Sequence, residues 1–288
     1  MISWVNGVPY EGQLIYLQPQ NEMQLTAKAQ QTNPWLELES LIGLAAVKTE
    51  LREICAYASI SHKRKLLGLR SEELTLNMAF VGNPGTGKTT VARIVSRILK
   101  QSGVLNSGHL IEVERADLVG EYVGHTARRT REVINKALGG VLFIDEAYSL
   151  ARGGEKDFGK EALDALVKAM EDHRHELVVI AAGYPDEMAE FLKLNPGLVS
   201  RMPINIKFAD YSQEELMQIA LLILASSDYR LSPKAVVKLR QKLTGLEGNG
   251  RDVRNILEQA MRRQAVRLEA LGHFKREDLM VIRPEDLC

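Results

Sequence analysis

Gly82 to Thr89 reads GNPGTGKT, and further along Val141 to Ala147 reads VLFIDEA, an apolar run ending in Asp145-Glu146. The first string fits G-x-x-x-x-G-K-S/T, which average composition produces by accident on the order of once in a hundred chains of this length. Its surroundings make accident rarer still. Met78 to Val81 precede it as a buried strand. Val91, Ile94, Val95, Ile98 and Leu99 follow at i, i+3, i+4, i+7 and i+8, one face of an amphipathic helix. Strand, glycine loop and helix in this order make a phosphate cradle.

The residue types suit that task electrostatically. Gly82, Gly85 and Gly87 give the backbone conformations closed to residues with a Cβ, so that successive amides can face phosphate oxygens. Asn83, Pro84, Thr86 and Thr90 complete the candidate binding stretch. Unpaired N–H groups of the helix beginning near Lys88 add positive potential. Lys88 supplies a full charge, and the Thr89 hydroxyl is placed to ligate Mg²⁺. At the end of the apolar strand, two adjacent carboxylates repel each other and gain nothing from an apolar neighbourhood. Asp145 is therefore expected to hold the Mg²⁺ shell and Glu146 to polarise an attacking water as general base. The alternative is a simple helix cap after the strand.

Composition narrows the partners. The chain has 288 residues, long enough for one core of ordinary size and a smaller satellite domain. Lys plus Arg equals Asp plus Glu at 37 each, and a net charge of zero argues against a nucleic-acid coat. The basic run His62 to Lys65 is short and reads as the solvated face of a helix. There are two cysteines, Cys55 and Cys288, and His173 and His175 have no neighbours at zinc-ligand spacing. No apolar stretch approaches the roughly 20 residues of a membrane span, and the first residues do not look like a signal peptide. A soluble, cytoplasmic protein without a membrane partner is expected, in keeping with the low cysteine count.

Residues 1–34 read as an extension and linker: Asn6-Gly7 is a hairpin turn signal, Leu14 to Leu17 a short strand, and Gln18 to Asn33 a polar, Gln-rich tether. A helical pattern runs from Leu36 to about Leu67. Apolar strands are predicted at Met78 to Val81, Leu110 to Val113, Val141 to Ile144, Leu177 to Ala182 and Ile204 to Phe208. Helix-length segments separate them, which implies a parallel sheet covered on both faces, an α/β three-layer domain over about 35–209. Beyond Phe208 no clear strand appears, and Gln213 to Ala225, Pro233 to Leu243 and Arg251 to Leu271 read as amphipathic helices broken at Gly245 to Gly250. Residues 210–288 are thus expected to form a small all-helical lid.

Between the two nucleotide motifs lies ADLVGEYVGHTARRTREVI, which places Tyr122-Val123-Gly124 in a loop before a helix starting near Thr126. The aromatic either reaches out to bind something or tucks under that helix, and the residues alone do not choose. At this point the chain resembles the AAA+ ATPases, P-loop NTPases, and within them the CbxX/CfxQ family, whose members include red-type rubisco activases and a sporulation protein. The match is carried by GNPGTGKTTVAR, RADLVGEYVGHTA, GGVLFIDEAYSLARGGEKDFGKEA, NPGLVSRMPI and GNGRDVRN, and covers about residues 36–288.

The resemblance implies an ATP- and Mg²⁺-dependent hexameric ring that remodels a protein partner. A nucleic-acid loader or a rubisco-activase-like role stands as the alternative. It implies that Tyr122, Val123 and Gly124 line the ring pore and grip a polypeptide, by apolar contact that tolerates many sequences. Arg201 takes the place of the arginine finger, which reaches the nucleotide of a neighbouring protomer. Arg251 matches the sensor 2 arginine of the lid, with Arg254 one helical turn on as the substitute. Leu41, Ile42 and Gly43 match the stretch that packs on adenine, although such residues are equally at home in a core. At the sensor 1 position many relatives carry a polar residue, whereas this strand ends in Ala182-Gly183-Tyr184-Pro185. Tyr184 would have to act there through its hydroxyl.

Overall fold

The computed structural model describes residues 4–5, 8–9, 33–71, 75–122, 124–152, 158–194 and 196–288. Near the start, β1 (Trp4–Val5) and β2 (Val8–Pro9) pair antiparallel, Val5 opposite Val8, flanking the Asn6-Gly7 turn signal. That turn, the strand expected at Leu14 to Leu17 and the Gln-rich stretch up to residue 32 lie outside the described residues.

Five parallel strands form the main sheet: β3 (Met78–Gly82), β4 (Leu110–Val113), β5 (Val141–Ile144), β6 (Val178–Gly183) and β7 (Ile204–Phe208), in the order β4-β5-β6-β3-β7. β5 and β6 are buried along their whole length, which is why they read as continuous apolar runs rather than alternating ones. Side chains of β3 still alternate between the two faces. Met78 and Phe80 pack with α1 (Pro34–Ser40), α2 (Ala45–Leu66) and α3 (Lys88–Gln101). Ala79 faces the opposite layer, which contains α4 (Arg115–Leu118), α5 (His125–Ala137), α6 (Gly159–Asp172), α7 (Pro185–Leu194) and α8 (Pro196–Arg201). The sheet is thus sandwiched between two helical layers with an apolar core on each side.

The single helical stretch expected from Leu36 to Leu67 is broken. The chain turns between Ser40 and Ala45, with Gly43 at φ 63 and Leu44 at φ 56. Apolar periodicity runs through the break because Leu38 before it and Val47 and Leu51 after it enter the same core. The Lys48 ammonium donates to the Glu39 and Leu41 carbonyls, two of the groups left open where α1 ends.

The chain divides into two compact units, and the sheet unit comprises Asn33–Ser212 together with Glu247–Asp252. Gln213–Leu246 and Val253–Cys288 belong to the other, a helical lid of α9 (Gln213–Ser226), α10 (Pro233–Lys242), α11 (Asn249–Leu271) from Val253 onward and α12 (Arg276–Met280). α11 begins inside the expected break, at Asn249. The lid also holds a two-residue parallel pair, β8 (Arg230–Leu231) with β9 (Val281–Ile282), too short to leave a periodic signal. Gln264 stitches this corner by donating to the carbonyls of Asp278, Leu279 and Val281. Arg267 forks onto buried Asp286 with two hydrogen bonds of 2.9 Å.

Candidate active site

The loop between β3 and α3 lies at the carboxyl edge of the sheet. Gly85 and Gly87 have φ of 72° and 97°, in the left-handed region that glycine alone enters freely. A Cβ on Gly85 would also collide with the Gly248 carbonyl and lie 2.7 Å from the Arg251 nitrogen. Gly82 is glycine for a different reason. It sits in the strand, and a Cβ there would come within 2.7 Å of Phe208 Cβ. The conformational role expected of Gly82 is therefore corrected to close approach of two strands.

The Lys88 ammonium donates to the carbonyls of Gly82 (2.7 Å) and Asn83 (2.8 Å). Burial pulls its pKa below the usual lysine value; Asp145 and Asp210 oppose that shift and Arg251 adds to it. Lys88, Asp145, Asp210 and Arg251 thus share one electrostatic neighbourhood. Thr86 is buried and donates its hydroxyl to the Asn83 carbonyl, while the Asn83 amide is committed to both oxygens of Asp210 at 3.0 and 2.9 Å. The Thr86 hydroxyl proton and the Asn83 side-chain NH2 are thus engaged within the protein, and Thr90 is exposed. Gly85→Ala should cost about 1–2 kcal/mol for its left-handed backbone alone. ADP binding, measured by titration calorimetry, is then expected to weaken by about tenfold or more.

The acidic strand end faces the same loop. Asp145 donates its amide to the Val113 carbonyl (2.9 Å) and accepts the Glu146 amide on Oδ1 (3.0 Å). Glu146 has φ 47, a left-handed conformation that is costly for a residue with a side chain. Thr89 and Asp145 line one cavity of about 210 Å³, together with Glu112, Glu114 and Asp117. An all-oxygen set suits a hard divalent cation, so the residues present fit Mg²⁺. Glu112, Glu114 and Asp117 were not singled out in the sequence. They reach the site only because β4 pairs with β5, Val113 opposite Ile144. Glu112 is paired with Arg93, and Asp117 accepts the Glu114 amide at 2.9 Å.

Other expected residues are placed as follows. Leu41, Ile42 and Gly43 form the half-buried turn before α2. The groups nearest a Cβ built on Gly87 are the Tyr211 hydroxyl (3.3 Å) and Leu44 Cδ1 (3.6 Å), neither of which was anticipated. Arg251 lies in the first turn of α11, within the sheet unit, whereas Arg254 belongs to the lid unit. The Tyr184 ring packs against Tyr148, centroids 5.9 Å apart, and Arg152 stacks over Tyr148 at 4.5 Å. Burial pushes the Tyr148 hydroxyl up to about 12.

Tyr122 is 65% exposed, with its ring edge-on to His125 at 5.4 Å. It does not tuck under α5. Its stem is pinned instead: the Gly120 amide donates to buried Thr126 (2.9 Å), and Thr130 donates to the Leu118 carbonyl (3.1 Å). Gly124 caps α5 at φ 79, and Val123 lies outside the described residues. Arg201 ends α8, just before β7. Its Nε lies 3.3 Å from a Glu171 carboxylate oxygen, and Asn77 donates to its carbonyl at 2.9 Å.

Among the described residues no helix is long and apolar enough to cross a membrane, and no three or more His, Cys, Asp or Glu gather closely enough to hold a metal by themselves, so Mg²⁺ here would need phosphate oxygens beside Thr89 and Asp145. Residues 78–210 match the ATPase family associated with various cellular activities (AAA), and 212–288 match the AAA lid domain. Stage V sporulation protein K of Bacillus subtilis (strain 168) is 52% identical over 259 residues, which span 87% of this chain and 80% of that protein. The chloroplastic ribulose bisphosphate carboxylase/oxygenase activase of Cyanidioschyzon merolae is 47% identical over 255 residues, 86% and 87% of the two chains. Among solved structures, the FIGL-1 AAA domain in complex with ADP shares the fold, with a TM-score of 0.63 at 22% identity over 86% of this chain and 80% of that one. Phosphate loop, acidic strand end and lid, together with this identity along most of its length, show that the chain belongs to the AAA ATPases, in the CbxX/CfxQ family.

Proposed function

We propose that this ATPase works in the cytoplasm as a homo-oligomeric ring, a hexamer, that pulls on a protein partner through loops bearing Tyr122, in the service of spore formation. Amides of the glycine loop, Lys88 and Arg251 hold the phosphates, and Leu41, Ile42 and Gly43 flank the base. Thr89 and Asp145 would hold Mg²⁺, which when bound supplies positive charge to the phosphate oxygens. Glu146 takes the proton of the attacking water, and Arg201 serves the site of the next protomer.

The observation that carries this reading is the exposed Tyr122. A large aromatic held out on a pinned stem, rather than folded into the adjacent core, is built to bury against another molecule. The sporulation setting rests on the identity to stage V sporulation protein K. A rubisco-activase-like role is the second reading, favoured by the chloroplastic activase at slightly lower identity. A nucleic-acid loader finds no support in the balanced charge.

Tyr122→Ala is expected to weaken retention of a fluorescent, unfolded polypeptide by the ATP-bound ring by about tenfold or more, read by anisotropy. Retention equal to that of the wild type would remove Tyr122 from the grip. Capture on immobilised Glu146→Gln rings, from sporulating cells and with purified rubisco, separates the two settings.

A further inference from the structure

The phosphate loop is held from its outer side by polar contacts that nucleotide binding does not itself require. Four consecutive loop carbonyls accept hydrogen bonds. Asn83 O receives the Thr86 hydroxyl and the Lys88 ammonium, both at 2.8 Å, and Pro84 O receives the Asn249 side-chain amide at 3.4 Å. Gly85 O receives the Gly250 backbone amide at 3.1 Å, and Thr86 O receives the Tyr211 hydroxyl at 3.1 Å. In a planar trans peptide the C=O and the following N–H point in opposite directions. Each carbonyl drawn toward residues 211 and 249–250 therefore turns the next amide, that of Gly85, Thr86 or Gly87, away from them. Those three amides donate to no protein acceptor among the described residues. Consecutive free amides of this kind make an anion nest.

Asn249 is the hub of these contacts. It is 1% exposed with φ 50, its Oδ1 accepts the Tyr211 amide at 2.9 Å, and its Nδ2 also donates to Asp210 at 2.8 Å. Asp210 in turn accepts the Asn83 amide with both oxygens. Segments remote in sequence are thereby tied into one unit around the loop. We propose that Asp210 and Asn249 form a polar latch that preorganises the amides of Gly85, Thr86 and Gly87 for phosphate, making both positioning residues for nucleotide affinity. The latch rests on the reading that this loop binds nucleotide. It aligns the donors before the ligand arrives, so that ligand binding does not have to order them.

Asn249→Gly isolates the effect, because glycine keeps the left-handed backbone and only the amide is lost. In calorimetric titrations of the full chain, ADP and inorganic tripolyphosphate should both bind about tenfold more weakly, and by the same factor. Unchanged affinity for both overturns the latch, as does a loss confined to ADP, which would place the effect at the base. Tyr211→Phe removes the hydroxyl that donates to Thr86 O and guards against a folding defect in the first variant. It should weaken both ligands alike, and undiminished tripolyphosphate binding would count against the proposal. Wild-type protein that bound neither ligand would overturn the nucleotide reading itself, and the latch with it.

Discussion

Glu146→Gln is expected to bind ATP with wild-type affinity and to hydrolyse it about 10²–10⁴ times more slowly, the range that a positioned general base contributes. The substitution keeps the shape and hydrogen-bonding capacity of the side chain and removes its basicity. Affinity should survive because, in the proposed reading, the phosphates are held by the loop amides and Lys88 rather than by Glu146. The structure gives a reason for the steepness of the loss. Glu146 is a non-glycine residue at φ 47, a conformation that costs on the order of 1–3 kcal/mol and persists only where its surroundings enforce it. Here Asp145 holds the Glu146 amide on Oδ1, while Asp145 is itself anchored to Val113 of β4. The Glu146 backbone is thus held by two adjacent strands. Equilibrium binding and single-turnover hydrolysis, measured on the same preparation, separate the two quantities. Turnover at the wild-type rate would show that another group is the base.

The parts of the site that one sequence discloses are those whose physical requirements are local. A phosphate loop needs particular residues within eight positions, and an acidic strand end needs a buried apolar run before it; both strings stand where they were expected. What stayed hidden depends on contacts between distant segments. GNGRDVRN drew attention for Arg251, yet its second residue, Asn249, is a buried polar one, and nothing in the string indicates that its side-chain amide meets Asp210 and Pro84. Glu112, Glu114 and Asp117 joined the cavity beside Thr89 and Asp145 only once β4 was paired beside β5. The turn before α2 was missed because apolar spacing reports the face a residue buries and not whether the backbone between is continuous. Gly82 was identified correctly as a required glycine but for the wrong cause, since a close approach between strands is invisible until the strand order is known.

Arg201→Ala should lower the rate of hydrolysis by about 10³, as the loss of an arginine finger does, while each protomer binds ATP as before. The register of the sheet explains why Arg201 cannot serve its own nucleotide. β3 and β7 run parallel, Met78 opposite Ile204 and Gly82 opposite Phe208. Arg201 enters at the amino edge and the phosphate loop leaves at the carboxyl edge, with four strand steps between them, roughly 13 Å. The Arg201 backbone is nonetheless fixed. Buried Asn77 donates to its carbonyl at 2.9 Å and accepts the Val179 amide at 2.8 Å. The guanidinium is held by weak contacts: its Nε makes no hydrogen bond and lies 3.3 Å from Glu171, half of whose side chain is exposed, while Nη1 donates to the Gly197 carbonyl at a long 3.4 Å. A pair of that kind is weak enough to exchange for phosphate. A rigid base carrying a loosely held cation, turned away from its own site, is what a group acting across an interface needs. Mixing supplies the decisive measurement. Arg201→Ala protomers retain a complete cleft and Lys88→Ala protomers retain the arginine, so an equimolar mixture of the two inactive proteins should regain hydrolysis at interfaces where the second serves the first. If the mixture stays as inactive as its components while both variants still assemble, Arg201 does not act between protomers.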